Sequence, residues 1–379
     1  MKKLLLAATV ATLAMNAAQA APTLYGKLNV SVDYQDNYKF DDAKTKNSQT
    51  SVQSNASRLG VKGEEKLTDN LSAVYLAEWQ VNADGDGTDW GMRNRFIGLK
   101  YSNLGTLKAG FYDSYFKNVD TKVQNTFKDD NLLDNKNFLY GEDRLRNTVG
   151  FESDPNLLPL PVQFSIQAQT REDQNKAGAA GATSAGLNTT GTTADNKNGT
   201  GVSTSLAYND TKLGLSAAVA GNFGVAGKYN GVGNNSTGNI IGDSNAVRVT
   251  TGLDLGKLNL VPGLSVGALW QQAKLSDAPK AALTTPTAIT DLSSLKEQAW
   301  TVNGAYSIAN TPIALKAMYG SSKTTYDTTD HKISQWGVGA DYNLNKQTRF
   351  YGVLGQQKKD WYVNNDKKLV VGTGIEFNF

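Results

Sequence analysis

The chain has 379 residues, with no Cys, a single His, and 38 Lys plus Arg against 35 Asp plus Glu. That composition excludes disulfide scaffolds, thiolate metal centres, cysteine nucleophiles and multi-histidine metal sites. The small net charge of +3 argues against a nucleic-acid partner; the apolar content, 39%, lies below the usual range of soluble globular proteins, and a mean hydropathy of −0.41 argues against helical membrane spans.

In chain order, the first feature is MKKLLLAATVATLAMNAAQA. Lys2 and Lys3 precede a short apolar run, and Ala18 and Ala20 form an A-x-A pattern. This predicts a cleaved secretory signal over residues 1–20 and a mature domain over 21–379. The apolar run is shorter than the ~20 residues a membrane span needs.

The mature chain then alternates with period two. Over 23–35, Leu24, Leu28, Val30, Val32 and Tyr34 share one face, while Tyr25, Lys27, Asn29, Ser31 and Asp33 share the other. The C-terminal stretch repeats this, with Leu369, Val371, Ile375, Phe377 and Phe379 in one phase. Such alternation fits strands and not a 3.6-residue helix. Fourteen further strands are predicted near 56–65, 71–82, 92–101, 105–113, 144–153, 161–171, 201–210, 213–223, 245–255, 263–274, 296–308, 311–322, 332–343 and 348–358, sixteen in all. Two have ambiguous phase. Arg93–Tyr101 puts Ile97 and Leu99 in register with arginines, and Thr348–Gln357 is apolar on both faces; a bulge in each would reconcile them. Short links (209–212, 308–311, 343–347) alternate with long ones (36–55, 113–143, 172–200, 224–244, 275–295).

The polar faces carry Lys27, Asp33, Arg58, Lys62, Glu78, Lys108, Glu152 and Arg248 among Gly, Ser, Gln and Asn. Aromatics gather near strand ends, among them Tyr34, Trp79, Trp90, Trp270, Trp300 and Tyr342. An even number of strands with alternating links can pair every backbone group in a closed sheet, as hydrocarbon requires. The expected fold is all-β: a 16-stranded antiparallel transmembrane barrel, wide enough for an aqueous channel. A soluble exported β-protein is the competing architecture.

Several blocks carry a family resemblance: TLYGKLNVSVDY from Thr23, SRLGVKGEEKLTDNLSAVYLAEWQ from Ser57, RNRFIGLKYSNLGTLKAG from Arg93, RLRNTVGFES from Arg144, and the terminal VGTGIEFNF. In these the chain resembles the general porins of Gram-negative bacteria, of the neisserial and β-proteobacterial type. The resemblance implies a homotrimeric outer-membrane barrel passing small hydrophilic solutes and ions passively. It also implies a third external loop folded inward, a second loop (82–91) reaching a neighbouring subunit, and an assembly role for Phe379. It departs in two places: the third loop has no Pro-Glu-Phe-Gly stretch, and 172–200 has no recognised counterpart.

The even-numbered strands begin at the outer end, which puts Arg58, Arg93, Arg95, Arg144 and Arg146 at similar depth, with Lys62 below Arg58. On a lipid-facing position each would cost about 2–4 kcal/mol at the midplane, so a lumen wall is expected. The family carries wall arginines matching Arg58, Arg93 and Arg144. The adjacent loop 113–143 holds Asp113, Asp120, Lys122, Asp129 and Asp130 among seven acids and four lysines. Folded inward, it would set a transverse field that sorts ions; the rigid wall gives a lean toward anions. The plainer expectation is that the arginines pair with Glu64, Glu78 or Glu152.

Asn82–Gly87 has half an EF-hand pattern, but Arg93 stands where Glu is needed, so a polar turn is expected. His331 is expected to be a solvated loop residue, and without a nucleophile–base pair no catalysis, cofactor or metal is expected. The functional expectation is a non-enzymatic diffusion channel. The alternatives are a substrate-specific channel, or a surface adhesin or receptor barrel with a closed lumen.

Overall fold

The computed structural model describes residues 22–43, 45, 47–87, 90–130, 132–170, 201–231, 240–276, 294–326 and 328–379. The expected export signal and the whole of the link 172–200 lie outside them. The strands are β1 Thr23–Gln35, β2 Gln49–Ser54, β3 Arg58–Lys66, β4 Leu71–Gln80, β5 Gly91–Tyr101, β6 Gly105–Asp113, β7 Arg144–Ser153, β8 Val162–Gln169, β9 Gly201–Asp210, β10 Leu215–Tyr229, β11 Ile240–Asp254, β12 Leu264–Leu275, β13 Lys296–Ser307, β14 Ile313–Tyr326, β15 Thr329–Asn343, β16 Thr348–Lys359 and β17 Lys367–Asn378.

Each strand pairs antiparallel with its neighbours, and β1 closes the sheet on β17 from Lys27↔Asn378 to Gln35↔Val370. The other edge of β1 carries two segments. β3 pairs with Thr23–Lys27 and β2 with Val30–Gln35. They are halves of one wall strand, interrupted at Asn55-Ala56-Ser57, where Ala56 has φ +54°. The barrel therefore has sixteen wall strands made from seventeen segments. Gln49–Ser54 had been expected to be loop, because QTSVQS lacks an apolar face long enough to read as a strand. β10 and β11 also run longer than expected, fifteen residues each. Between β14 and β15 only residues 327–328 remain as a link, since Tyr326 pairs with Thr329.

The barrel is inside out relative to a soluble sandwich. Leu24 and Ile97 are 60% and 67% exposed on the outer face, whereas Lys27 and Asn29 are 4% and 2% exposed on the inner face. Trp270 and Trp300 lie opposite each other on β12 and β13, both exposed. No helix among the described residues is long and apolar enough to cross a membrane; the strands form the spanning surface.

The phase problem in β5 resolves as expected. Ala77 pairs with Arg95 and Trp79 with Met92, so β5 carries one extra residue opposite Glu78. A bulge inverts the facing of every residue on one side of it. β16 is different: its ladders to β15 and β17 show no shift. The middle of its inner face is apolar because Tyr351 and Val353 are covered by the long loop between β6 and β7.

That loop, 114–143, lies against the inner wall. A single helical turn, α1 Tyr115–Asn118, begins it, capped by the Ser114 side chain accepting from the Lys117 amide at 3.1 Å. Phe127, Leu132, Leu133, Phe138 and Leu139 pack on inner-wall residues including Leu269, Met318, Ile333 and Tyr351. Phe116, Val119 and Tyr140 pack on Ala220, Ala246 and Ala273. A buried side chain of this size contributes about 1.5–3 kcal/mol, so the loop has a hydrophobic core of its own inside the barrel. At Gly337 a Cβ would meet Leu133 at 2.8 Å, so the wall is hollowed where the loop seats.

Candidate functional site: a band of alternating charge at the loop–wall junction

The alternation that sends Leu24 and Leu28 outward sends Tyr25 and Lys27 inward. The same logic on β17, β3 and β4 brings Glu376, Arg58 and Glu78 to the inner face. These groups join across strands and the loop into one network. Arg93 Nε lies 2.5 Å from Glu78 Oε1, and Arg58 Nε lies 3.5 Å from Glu78 Oε2. Arg58 Nη1 reaches Asp129 Oδ2 at 3.3 Å, and Lys27 Nζ reaches the same oxygen at 2.5 Å. Lys27 also meets Glu376 at 3.6 Å, and Arg349 bridges Glu376 (3.0 Å) to Asp341 (2.9 Å). Lys316 completes the band at 2.8 Å from Asp341. Tyr25 donates its hydroxyl to Glu78 at 2.9 Å, and the Lys62 ammonium lies 5.0 Å from the Tyr25 ring centre. Five cations and four carboxylates thus alternate around the wall, with only Asp129 supplied by the loop.

The structure divides the five arginines singled out from sequence. Arg58 and Arg93 are in the band. Arg144 lies beside it, donating to Asn94 Oδ1 at 2.8 Å and 3.4 Å from Asp113 Oδ1, which Lys117 also holds at 2.8 Å. Arg95 is elsewhere. Beyond the bulge it shares the outward phase of Ile97 and Leu99, with its guanidinium 5.3 Å from the Trp79 ring centre. Arg146 lies 5.7 Å from the Phe111 ring centre, and Phe111 is the cross-strand partner of Arg95. Near a membrane interface an outward cation costs only about 0–1 kcal/mol, and aromatic faces offset part of that. Of the expected carboxylate partners, Glu78 serves the arginines, while Glu64 pairs with Lys100 at 3.1 Å and Glu152 with Lys108.

The loop residues also separate. Burial alone would raise the Asp129 carboxyl, but Lys27 and Arg58 hold it well below the usual range. Asp130 is turned into the loop, accepting from the amides of Leu132 (2.9 Å) and Leu133 (2.8 Å). Asp120 is buried, bonded by Asn125 and Asn135. Burial, and next the Glu142 carboxylate, push it up to about 7. Lys122 lines a polar cavity of about 230 Å³ with Lys128, Lys346 and Arg349. Phe379 exchanges backbone hydrogen bonds with Gly26 (2.9 and 3.1 Å) and stacks on Phe377.

Sequence reasoning missed Arg349, Lys316 and Asp341 as members of the band; period-two phase counted back from the C-terminus would have placed Arg349 and Glu376 together. It also missed the role of Arg248. That residue is 0% exposed, 2.7 Å from Glu142, and donates to the carbonyls of Phe116 (3.3 Å) and Tyr140 (3.1 Å). It ties both ends of the loop to β11. His331 is not a solvated loop residue: it lies in β15, with its ring between Tyr326 (4.8 Å) and Trp361 (5.0 Å). In the half EF-hand segment, Asp84 accepts from the Ser54 amide at 2.8 Å and the Asp86 amide at 3.2 Å, as a polar turn would.

Comparison with known proteins agrees with this architecture. The major outer membrane protein P.IB of Neisseria gonorrhoeae is 37% identical over 125 residues, 32% of this chain and 35% of that protein. The Neisseria lactamica protein of the same name is 34% identical over 125 residues, 32% and 36% of the two chains. The matched stretch is thus about a third of those relatives' length. Among solved structures, an anion-selective porin from Comamonas acidovorans superposes with a TM-score of 0.65 at 16% identity, covering 95% of this chain and all of that one. The trimer form of in-vitro folded OmpT of Vibrio cholerae gives 0.62 at 15% identity, covering 95% and 99%. The sequence model of the Gram-negative porin family matches residues 6–361, and the chain belongs to that family.

Proposed function

We propose that the protein is an outer-membrane porin: a non-enzymatic, water-filled channel for passive diffusion of small hydrophilic solutes and ions. The observation that carries this reading is the inner face. Charged and polar side chains that would be costly in lipid line it outside the apolar patches where the loop seats, and that loop, with its own core, narrows the lumen without interrupting the ladder of strands. The band of Lys27, Arg58, Arg93, Lys316 and Arg349 against Glu78, Asp129, Glu376 and Asp341 sets the constriction. It gives a weak preference for anions, since the cations outnumber the acids by one and all five sit on the rigid wall. Arg144 and Lys62 border it; Arg95 and Arg146 act at the outer surface.

The same reading makes residues 21–379 the mature domain after removal of 1–20, embeds the outward face in outer-membrane lipid, and assembles three copies. The trimer form of the Vibrio neighbour supports that assembly. It involves no nucleic acid. Recording from the purified, detergent-folded protein in planar bilayers under asymmetric salt tests it. The expected result is an ohmic conductance that closes in three equal steps, with a reversal potential of anion-preferring sign. A sealed barrel would identify the loops, not the lumen, as the working part.

A further inference from the structure

At the constriction every wall cation has a carboxylate within ion-pairing distance. Nearer the loop end of the barrel this rule fails. Lys359 and Lys368 have inward phase, Lys359 with Gln357 and Lys368 with Val370. Their ammonium groups converge on one ring: Lys359 Nζ is 4.6 Å and Lys368 Nζ 4.9 Å from the centre of Phe40. Lys359 is also 5.6 Å from the Trp361 ring centre. Among the described residues neither makes an ion pair. The charges acting on Lys359 are those of Lys368 and Lys228, all of one sign.

The acids nearby are committed elsewhere. Asp360 accepts from the Lys332 amide at 2.8 Å, Asp42 from the Val363 amide at 2.7 Å, and Asp41 from the Asn365 side chain at 2.6 Å. Asp366 pairs with Lys358 at 3.4 Å. Those bonds to Asp41 and Asp42 stitch the first loop to the last, so Phe40 is held beside Lys359 and Lys368 rather than swinging free.

A run of rings continues from this point. Phe40 stacks on Tyr362 at 6.1 Å, Tyr362 meets Trp361 at 5.6 Å, and Trp361 meets His331 at 5.0 Å. The indole Nε1 of Trp361 is buried without a hydrogen-bond partner. Two half-buried ammonium groups of like sign, with only aromatic faces to offset them, are an unbalanced arrangement. A bound anion would balance it, and an aromatic one would gain the ring faces as well.

We propose that Lys359, Lys368, Phe40 and Trp361 form a binding site at the loop-side mouth for anionic arenes such as aromatic carboxylates and sulfonates. The site deepens the channel reading and rests on it: paired charges at the constriction filter, while unpaired charges above it capture. The test uses the detergent-folded full-length protein, with 4-sulfobenzoate as probe and succinate as the non-aromatic dianion. Binding is measured by calorimetry, and block of single-channel current is followed in parallel.

The expected result is saturable binding of 4-sulfobenzoate, tighter than that of succinate. Lys359→Gln/Lys368→Gln should weaken it about tenfold or more, a loss of ~1.4 kcal/mol. Trp361→Leu should remove the preference for the arene while leaving succinate binding in place. Correct folding of each variant is checked by heat-modifiable mobility. Equal affinity in the double lysine variant, or succinate binding as tightly as the arene, would overturn the proposal. Binding intact in a protein that conducts no ions would support this site and overturn the channel reading.

Discussion

Two arginines on one strand, two residues apart, meet opposite fates. Arg93 neutralises Glu78 inside the barrel, and Arg95 stacks on Trp79 outside it. Local sequence cannot separate them, because R-x-R reads as two residues of the same phase. Only the one-residue excess of β5 against β4, a property of the pairing, breaks that phase. Elsewhere on the inner face, Lys27, Arg58 and Glu78 follow from alternation alone. The difference is measurable. Arg93→Gln should lower the anion-to-cation permeability ratio about two- to fivefold, since it leaves Glu78 undercompensated in a confined field. Arg95→Gln should leave the reversal potential unchanged. Equal shifts for both would place both side chains in the lumen.

Titration of the loop adds a second expectation at this scale. Asp120, raised from 3.8 to about 7 by burial and then by Glu142, favours the folded-in loop while protonated. That contribution declines as pH rises through this interval and is gone above 7. Asp129 runs the other way: its carboxyl is depressed, so its hold on Lys27 and Arg58 is complete above 3.8 and fades only in stronger acid. The loop should therefore be quietest near pH 4, with current noise growing up to about pH 7 and level above it. Asp120→Asn should flatten the alkaline side of that profile. An unchanged alkaline rise in the variant would remove Asp120 as its source.

Among the elements, the loop 114–143 was the least readable from sequence. Its charges suggested an acidic edge facing a basic wall. The structure shows instead a small core, anchored by Arg248 at its base and by Asp129 at its tip. The apolar pair Tyr351 and Val353 on the inner face of β16 was its trace in the sequence. Tyr351 and Val353 looked like a phase error because their partners, Phe127 and Leu133, lie more than two hundred residues earlier. Arg248→Gln should test the anchor. Removing one partner of a buried pair costs about 3–5 kcal/mol, here by leaving Glu142 without its cation and the Phe116 carbonyl without its Arg248 donor, while Gln271 keeps its bond to the Tyr140 carbonyl at 3.1 Å. The expected readout is a lower thermal midpoint for the loop, with larger and noisier single-channel conductance. Leu133→Ala, which deletes a fully buried contact, should cost about 2–5 kcal/mol and move conductance the same way. A quiet, unchanged channel in both variants would mean the loop is held by the wall's shape alone.

For the molecule as a whole, strand number, direction and closure follow from period-two alternation and from links of alternating length. The exceptions were local, as at Gln49–Ser54, where a strand without an apolar face still pairs because β1 offers an open edge. The central claim is that aliphatic rows face lipid while charged rows enclose water. The chain has no Cys, so single cysteines report without background. Lys62→Cys and Ile97→Cys in reconstituted bilayers should separate cleanly. A charged methanethiosulfonate should label Lys62→Cys rapidly and spare Ile97→Cys, which should react only with a membrane-partitioning maleimide. Equally fast labelling of both positions by the charged reagent would contradict the account.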